Sequence, residues 1–389
     1  MRPAPTDDIL MTSTFTSPWL RIRVDTGILR DNLESLRALA PRPARLMPVV
    51  KAEAYGHGLE LAARAFVDGG ADWLGVHALH EAERLRAAGL DLPVLVLGPV
   101  THEEAGRSVT LPCDITVGSL AALNDAATAG RVRIHLKVET GVNRQGLVED
   151  ELPEALAILT RNPEAQLVGV SSHFADIEDT TDHGYAQQQQ RRFEAWCERL
   201  APEVDEPLLR HMTCSAATVL WPSTHHDLVR VGIAAYGVWP SRETLVSARA
   251  AGRAELALRP AATWTVRVSQ VRMVPAGETV GYGRTWLAPV DSRIAVLPVG
   301  YADGYPRALS GRGHVLVRGQ RAPLRGRICM NLCMVDVTHI EGVVAGDEAV
   351  LLGHQDDDAI TPEQLADWLG TIAYEVLTLP GPTWQRLEA

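Results

Sequence analysis

From about residue 19 to residue 250, short, wholly apolar runs alternate with longer stretches of helical periodicity. The apolar runs have strand length and lie at residues 46–50, 73–76, 94–97, 115–117, 134–138 and 167–170. Between them, residues 59–67, 80–88 and 119–129 are rich in Ala, Leu, Glu and Arg at helical spacing. Gly69-Gly70, Gly89 and Gly130 stand where such helices should stop. A strand that is apolar on both faces must be covered on both faces, which a parallel sheet wrapped in helices achieves. The strand–helix unit recurs every ~20 to 40 residues, too many times for a three-unit nucleotide fold, so the spacing predicts a (β/α)8 barrel of the TIM type.

The texture changes after about residue 255. Trp264, Val266 and Val268 alternate with Thr265, Arg267 and Ser269, and strand-like runs follow at 294–299, 314–318 and 348–352. One late helix is expected, with Thr361 as N-cap, Pro362 in its first turn, an apolar stripe to Leu369 and Gly370 as its stop. The expected architecture is therefore α/β plus β. A loose leader spans 1–18, the barrel 19–254 and a mainly β domain 255–389.

Several function classes are disfavoured. A net charge of -11 does not make a nucleic-acid footprint, which needs clustered Lys and Arg. No run of about 18 apolar residues is present to cross a membrane. The first residues lack the basic start and apolar stretch of a secretory signal. The five cysteines are odd in number, so reduced thiols in the cytoplasm are expected. Cys329 and Cys333 lack a nearby His or second pair, and two small buried hydrophobes are expected there in place of a metal site. There is no phosphate loop and no H-E-x-x-H helix.

Residues 48–58 read Pro-Val-Val-Lys-Ala-Glu-Ala-Tyr-Gly-His-Gly and put Lys51 directly after an apolar strand. Barrel strands end at the active-site face. Desolvation there lowers a lysine's pKa and leaves the neutral amine that condenses with an aldehyde. The alternative is a lysine whose stem packs while its head reaches solvent. The string K-A-E-A-Y-G-H-G closely resembles the lysine motif of alanine racemases, which are fold-type III pyridoxal-phosphate enzymes. That resemblance implies pyridoxal 5'-phosphate held by Lys51, which also acts as the base on the D side, with Tyr55 on the cofactor phosphate.

Other segments resemble the same family in chain order. In residues 135–146, Arg144 is implied to approach the substrate carboxylate and the cofactor's phenolic oxygen, a task suited to a guanidinium fork. Lys137 matches a position that is often carbamylated; the plain alternative is a lysine paired with Glu139. His173, in the Ser-Ser-His-Phe-Ala segment, would sit against the cofactor ring. Ser215, Gly232 and Ile233 would hold the phosphate, the last two through backbone N–H groups. Arg230 would face the pyridine nitrogen and keep it unprotonated, making the ring a weaker electron sink than a carboxylate partner would.

In the expected β domain, Gly281-Tyr282-Gly283 resembles the family's second catalytic site. Racemisation needs a base on each face of the α-carbon, and the resemblance gives the face opposite Lys51 to Tyr282 of a partner subunit, implying a homodimer. A tyrosine of pKa about 10 needs nearby cations to serve at neutral pH. Tyr301 and Arg307 would line the substrate's way in, and the Met330 N–H would bind its carboxylate.

The resemblance runs from about residue 19 to 378. It departs from the family pattern at Glu53, Glu139, Cys214, Asn331 and the C-terminus, where a Pro near 382 stands about where an active-site tyrosine often sits. It implies interconversion of L- and D-alanine, and with it D-alanine for a bacterial cell wall. The competing expectations are a racemase for serine or a broader set, a decarboxylase of the same fold, and a non-catalytic cofactor carrier. A decarboxylase would place a carboxylate where Arg230 stands, and single-barrel carriers lack the β domain.

Overall fold

Eight short parallel strands close on themselves in the first part of the chain. They are β1 (Arg45–Pro48), β2 (Leu74–Val76), β3 (Val94–Val96), β4 (Asp114–Val117), β5 (Arg133–Lys137), β6 (Gln166–Ser171), β7 (Leu209–His211) and β8 (Leu228–Val231). Strands β2 to β7 pair in sequence order, and β1 pairs with β8 in parallel. The two sheets join at both seams. Val50 N–H donates to Gly75 O at 2.7 Å between β1 and β2, and Arg230 N–H to Thr213 O at 3.3 Å between β7 and β8. The result is the (β/α)8 barrel, with helices between successive strands. The structure is a computed structural model and describes residues 16–204, 206–253 and 255–389. Residues 1–15 of the expected leader lie outside the described residues.

Local chemistry accounts for the helices. Asp25 accepts the Ile28 N–H at 2.9 Å and caps Thr26–Leu39, whose Leu29, Leu33 and Leu36 are buried at one-face spacing. Ser119 caps Leu120–Thr128 in the same way. The strand interiors read as predicted: Val94, Leu95, Val96 and Ile134 have no exposure.

The chain divides into two units. Among the described residues, one comprises 24–262, 372–378 and 388–389, and the other 16–23, 263–371 and 379–387. Residues 19–23, 255–262, 372–378 and 388–389 therefore fall on the other side of the expected division at 19 and 254. Leu20–Val24 buries alternate residues and lies in a sheet between Ala262–Arg267 and Gln385–Glu388. That half-buried, two-residue period suits a β sheet with one covered face and not a barrel strand. Residues 372–378, expected in the β domain, belong to the barrel unit.

The second unit is mainly β. Its other main sheet pairs Gln270–Val274, Ser292–Leu297 and Cys333–Asp336 antiparallel. The late helix is Pro362–Leu369, with Thr361 accepting the Gln364 N–H at 3.2 Å and Gly370 left-handed at φ +73°. All five cysteines are free thiols. Cys333 is buried as expected, but Cys329 is only half-buried because it stands in a loop before the strand that carries Cys333. No described helix is long and apolar enough to cross a membrane.

Candidate active site

Lys51 begins an unusual turn. The four residues after it, Ala52, Glu53, Ala54 and Tyr55, have φ of 55°, 54°, 52° and 52°. A left-handed conformation costs L-residues about 1–2 kcal/mol each, so such a run persists only where its surroundings hold it. Several contacts do so. The buried Glu81 carboxylate accepts Ala52 N–H at 2.8 Å, His77 N–H at 2.7 Å and Ala78 N–H at 3.0 Å. Tyr236 donates its hydroxyl to Val49 O at 2.8 Å and packs its ring 4.8 Å from that of Tyr55. Gly56 closes the turn at φ +83°, where a Cβ would fall 2.1 Å from Leu377 O. Glu53 points outward and pairs with Arg84.

The turn opens onto a cavity of about 720 Å³, walled entirely by the barrel unit. Lys51, Tyr55, Lys137, Arg144, His173, Cys214, Ser215, Arg230 and Gly232 all line it. These positions span some 180 residues of sequence, and the barrel brings them together because each follows or ends a strand. Ile233 sits one step beyond, buried in the turn after Gly232.

One end of the cavity is built for an anion. Ser215 Oγ accepts Gly232 N–H at 2.9 Å, which leaves its own hydroxyl proton free to point elsewhere. A Cβ on Gly232 would lie 2.6 Å from the Tyr55 hydroxyl, so only glycine leaves this notch open. The Tyr55 hydroxyl makes no hydrogen bond to a described residue. Burial pushes its pKa well up, which keeps it a proton donor. Cys214 is likewise held neutral, its thiol pushed up to about 11 by burial.

The cations sit apart from this notch in chemistry. Burial, and then Arg144, lower the pKa of Lys51. Burial, with Arg230 and Arg144, brings Lys137 down to about 8. Lys137 makes no ion pair with Glu139 among the described residues. Burial would raise the pKa of Glu139, but its carboxylate accepts backbone N–H groups of the Arg144 loop, including that of Gly141, and is held below the usual carboxylate range. This substitution in the family pattern therefore shapes the loop that presents Arg144. Arg230 is buried, and burial lowers its pKa to about 10, still a cation at neutral pH. Burial and Arg230 keep the His173 imidazole neutral.

Tyr282, Tyr301, Met330, Arg307 and Asn331 belong to the other unit. Tyr282 stands 73 % exposed between two left-handed glycines, Gly281 and Gly283. Tyr301 N–H donates to Cys329 O at 3.1 Å and Ala302 N–H to Met330 O at 2.9 Å, which sets Tyr301 and Met330 side by side. Asn331 donates to both oxygens of Asp303 at 3.1 and 3.3 Å, an arrangement that requires the amide found here.

Two wall residues are not legible as site residues in the sequence. Tyr374 lines the cavity and donates its hydroxyl to Glu178, which also lines it, at 2.9 Å. The site thus has a tyrosine from near the C-terminus, and Pro382 is not among the lining residues. The signal is present in the segment 371–378, which matches the family pattern, but its return to the barrel unit is not.

Two known domain families match the chain: alanine racemase, N-terminal domain, over residues 24–240, and alanine racemase, C-terminal domain, over residues 261–388. An alanine racemase of Desulfosudis oleivorans is 42% identical, covering 93% of this chain and 94% of that protein. One from Carboxydothermus hydrogenoformans is 41% identical, covering 92% and 96%. Among solved structures, the alanine racemase of the D-cycloserine producer Streptomyces lavendulae superposes with a TM-score of 0.88 at 36% identity, covering 96% of this chain and 98% of that one. The alanine racemase of Bacillus anthracis with bound L-Ala-P gives 0.86 at 30% identity, covering 93% and 92%.

Proposed function

Since the chain belongs to the alanine racemase family, we infer that it interconverts L- and D-alanine with pyridoxal phosphate. The observation that carries this reading is the pairing, in one cavity, of a desolvated lysine at a strand's end with an anion notch and a buried arginine. Bound there, pyridoxal phosphate supplies an aldehyde for the substrate amine and a ring that draws electron density from the α-carbon. Tyr55, Ser215, the Ile233 N–H and the Gly232 N–H, the last exchanging its Ser215 Oγ partner for the phosphate, would hold that phosphate, and the fit rests on the notch that a Cβ at Gly232 would fill. His173 would lie against the ring and Arg230 opposite its nitrogen. The nearby guanidinium disfavours a second positive charge there.

Arg144 offers its fork to the substrate carboxylate, while the Met330 N–H that would join it and the Tyr301 that would border the way in come from a second copy of the chain. Lys51 Nζ exchanges the proton on one face of the α-carbon. Tyr282 Oη exchanges it on the other. The Lys51 amine suits this task because burial favours its neutral form. The Tyr282 hydroxyl would come from a second copy of the chain, making a homodimer whose sites are shared. This is supported by the exposure of Tyr282, Tyr301 and Met330 on the unit that does not wall the cavity. Free cysteines support a cytoplasmic location, and D-alanine made there would serve the cell wall. Recovery of the enzyme from outside the cytoplasm in cell fractionation would refute the location.

The test is solvent deuterium incorporation at the α-carbon, with L-alanine, D-alanine, L-serine and L-lysine compared and the enantiomers resolved. Exchange with inversion of alanine and no release of carbon dioxide is expected. Inversion of another amino acid but not alanine would move the substrate. Exchange with none of them, with cofactor bound, would leave a carrier.

Lys137 adds a second expectation. An amine titrating at about 8 has an appreciable neutral fraction near neutral pH. It can bond to carbon dioxide, releasing a proton and leaving a carbamate beside Arg144 and Arg230. Protein equilibrated with 13C-bicarbonate should show a carbamate carbon resonance that strengthens as pH rises through about 8 and is missing in Lys137→Ala. The absence of that signal from the parent protein would refute it.

A further inference from the structure

Beneath the cavity, four strands of the barrel place polar side chains where apolar ones would pack. Asp114 on β4, His135 on β5, His211 on β7 and Arg230 on β8 are all buried, the two histidines completely. They form a continuous run of hydrogen bonds. Arg230 Nη1 lies 2.7 Å from His211 Nδ1, His211 Nε2 lies 2.7 Å from His135 Nδ1, and His135 Nε2 lies 3.1 Å from Asp114 Oδ2. Arg133 closes the outer end, its Nε 2.8 Å from Asp114 Oδ1, with its own side chain about half exposed.

The direction of this run is fixed by its ends. A guanidinium can only donate, and an ionised carboxylate can only accept. His211 Nδ1 must therefore accept from Arg230, which puts the His211 proton on Nε2. That proton points at His135 Nδ1, so the His135 proton also lies on Nε2 and points at Asp114. Reversing either ring would set two donors against each other at 2.7 Å. Burial would raise the Asp114 pKa, but the His135 and Arg133 hydrogen bonds hold it below the usual carboxylate range, so it is ionised. Burial and Arg230 keep His211 neutral.

The fold makes room for this run. A Cβ on Gly169 of β6 would lie 2.2 Å from His135 Nδ1, so only glycine lets the two rings meet. The β5–β6 register shifts between Ile134 and His135, the kind of irregularity that re-aims a side chain. Arg230 makes no direct ion pair with a carboxylate among the described residues. Its other η-nitrogen contacts are to His211 O and Ser172 O at 2.7 Å, Met212 O at 3.2 Å and His173 Nδ1 at 3.3 Å. None of these bonds uses Nε, and Arg230 lines the cavity.

We propose that Asp114 is a positioning residue for the reaction. Through His135 and His211 it supplies the acceptor end of the run that Arg230 begins, and so holds the Arg230 guanidinium in place against the cofactor ring. The counter-charge is kept two imidazoles away, so Arg230 meets the ring as an undiluted cation. The proposal rests on the cofactor reading above for what Arg230 faces.

Nitrogen NMR of the 15N-histidine-labelled holoenzyme tests it. In the parent protein both His135 and His211 should carry their proton on Nε2. Asp114→Leu removes the acceptor. The buried His135 Nε2–H is then left without an acceptor, so the His135 nitrogen resonances should shift, the absorption spectrum of the bound cofactor should shift, and kcat should fall about 10- to 100-fold, the scale seen when a partner orienting a working histidine is lost. KM for alanine should stay within about twofold, since Arg144 is untouched. Asp114→Asn keeps an acceptor oxygen for His135 Nε2–H and should restore the parent His135 resonances and the parent spectrum. Gly169→Ala, which pushes His135 away from His211, should reproduce the Asp114→Leu signature without altering the carboxylate, and serves if that variant does not fold. A parent His211 protonated on Nδ1, or an Asp114→Leu protein with unchanged His135 nitrogen resonances and an unchanged cofactor spectrum, overturns the proposal. The tautomer readout needs no turnover, so it is separate from a failure of the parent protein to exchange the α-proton.

Discussion

Lys51→Ala is expected to lower racemisation by roughly 10⁴-fold or more, the upper end of what a positioned proton-transfer group supplies, in both directions. It should also remove the visible absorbance of protein-bound cofactor after gel filtration. The reason is double duty. The same nitrogen would anchor the aldehyde and exchange a proton, while the other strand-end amine on that wall, Lys137, would instead carry the carbamate. The surrounding turn should survive, because its bonds run through backbone atoms and Glu81 and not through the Lys51 side chain. A Lys51→Ala protein with intact fold, bound cofactor and more than about a hundredth of parent activity would overturn the assignment. Added methylamine offers a check on mechanism: partial rescue is expected if the missing element is an amine.

Tyr282→Phe is expected to cost ~10²- to 10⁴-fold in turnover while leaving cofactor binding intact, because the phosphate notch and Lys51 lie wholly in the barrel unit. The loss should be asymmetric in isotope exchange. With one face still served by Lys51, one enantiomer should still wash its α-proton into solvent without inverting. A mixing experiment then separates a shared site from a private one. Lys51→Ala and Tyr282→Phe chains, each inactive alone, are unfolded, mixed equally and refolded. If sites are shared across a two-fold dimer, half of the dimers are mixed and each has one complete site, so about a quarter of parent activity should return. If each chain uses its own Tyr282, no activity returns and the shared-site reading fails.

The sequence is most informative where local chemistry dictates the answer. The helix at Pro362–Leu369 is legible to the residue, because Thr361, Pro362 and Gly370 each act within a few bonds of where they stand. The early strands are legible for a related reason: a segment apolar on both faces has few places to go. Lys51 is legible because a strand's end in a barrel is an address. The strand Leu20–Val24 falls on the other side of the expected boundary, because its partners lie more than 200 residues downstream and nothing nearby names them. Tyr374 is hidden for the same reason, and the sequence pattern points to the neighbourhood of Pro382 instead. The Asp114–His135–His211 run is harder still. A buried histidine in a strand usually means a single satisfied side chain, and only the closed barrel shows that two of them touch.

The exchange of segments between the two units has a consequence for how the enzyme is made. Tyr374 leaves the ribosome more than 300 residues after Lys51, yet both belong to the same wall. The strand at Leu20–Val24 must likewise wait for Ala262–Arg267, made more than 200 residues later. A nascent barrel therefore has its lysine long before it has a finished pocket, and domains otherwise tend to fold as they emerge. Chains stalled before residue 372 should fail to retain pyridoxal phosphate even though all eight barrel strands are already made. Cofactor capture would then report that translation has passed residue 378, and free cofactor would be spared from chains that stop short of it.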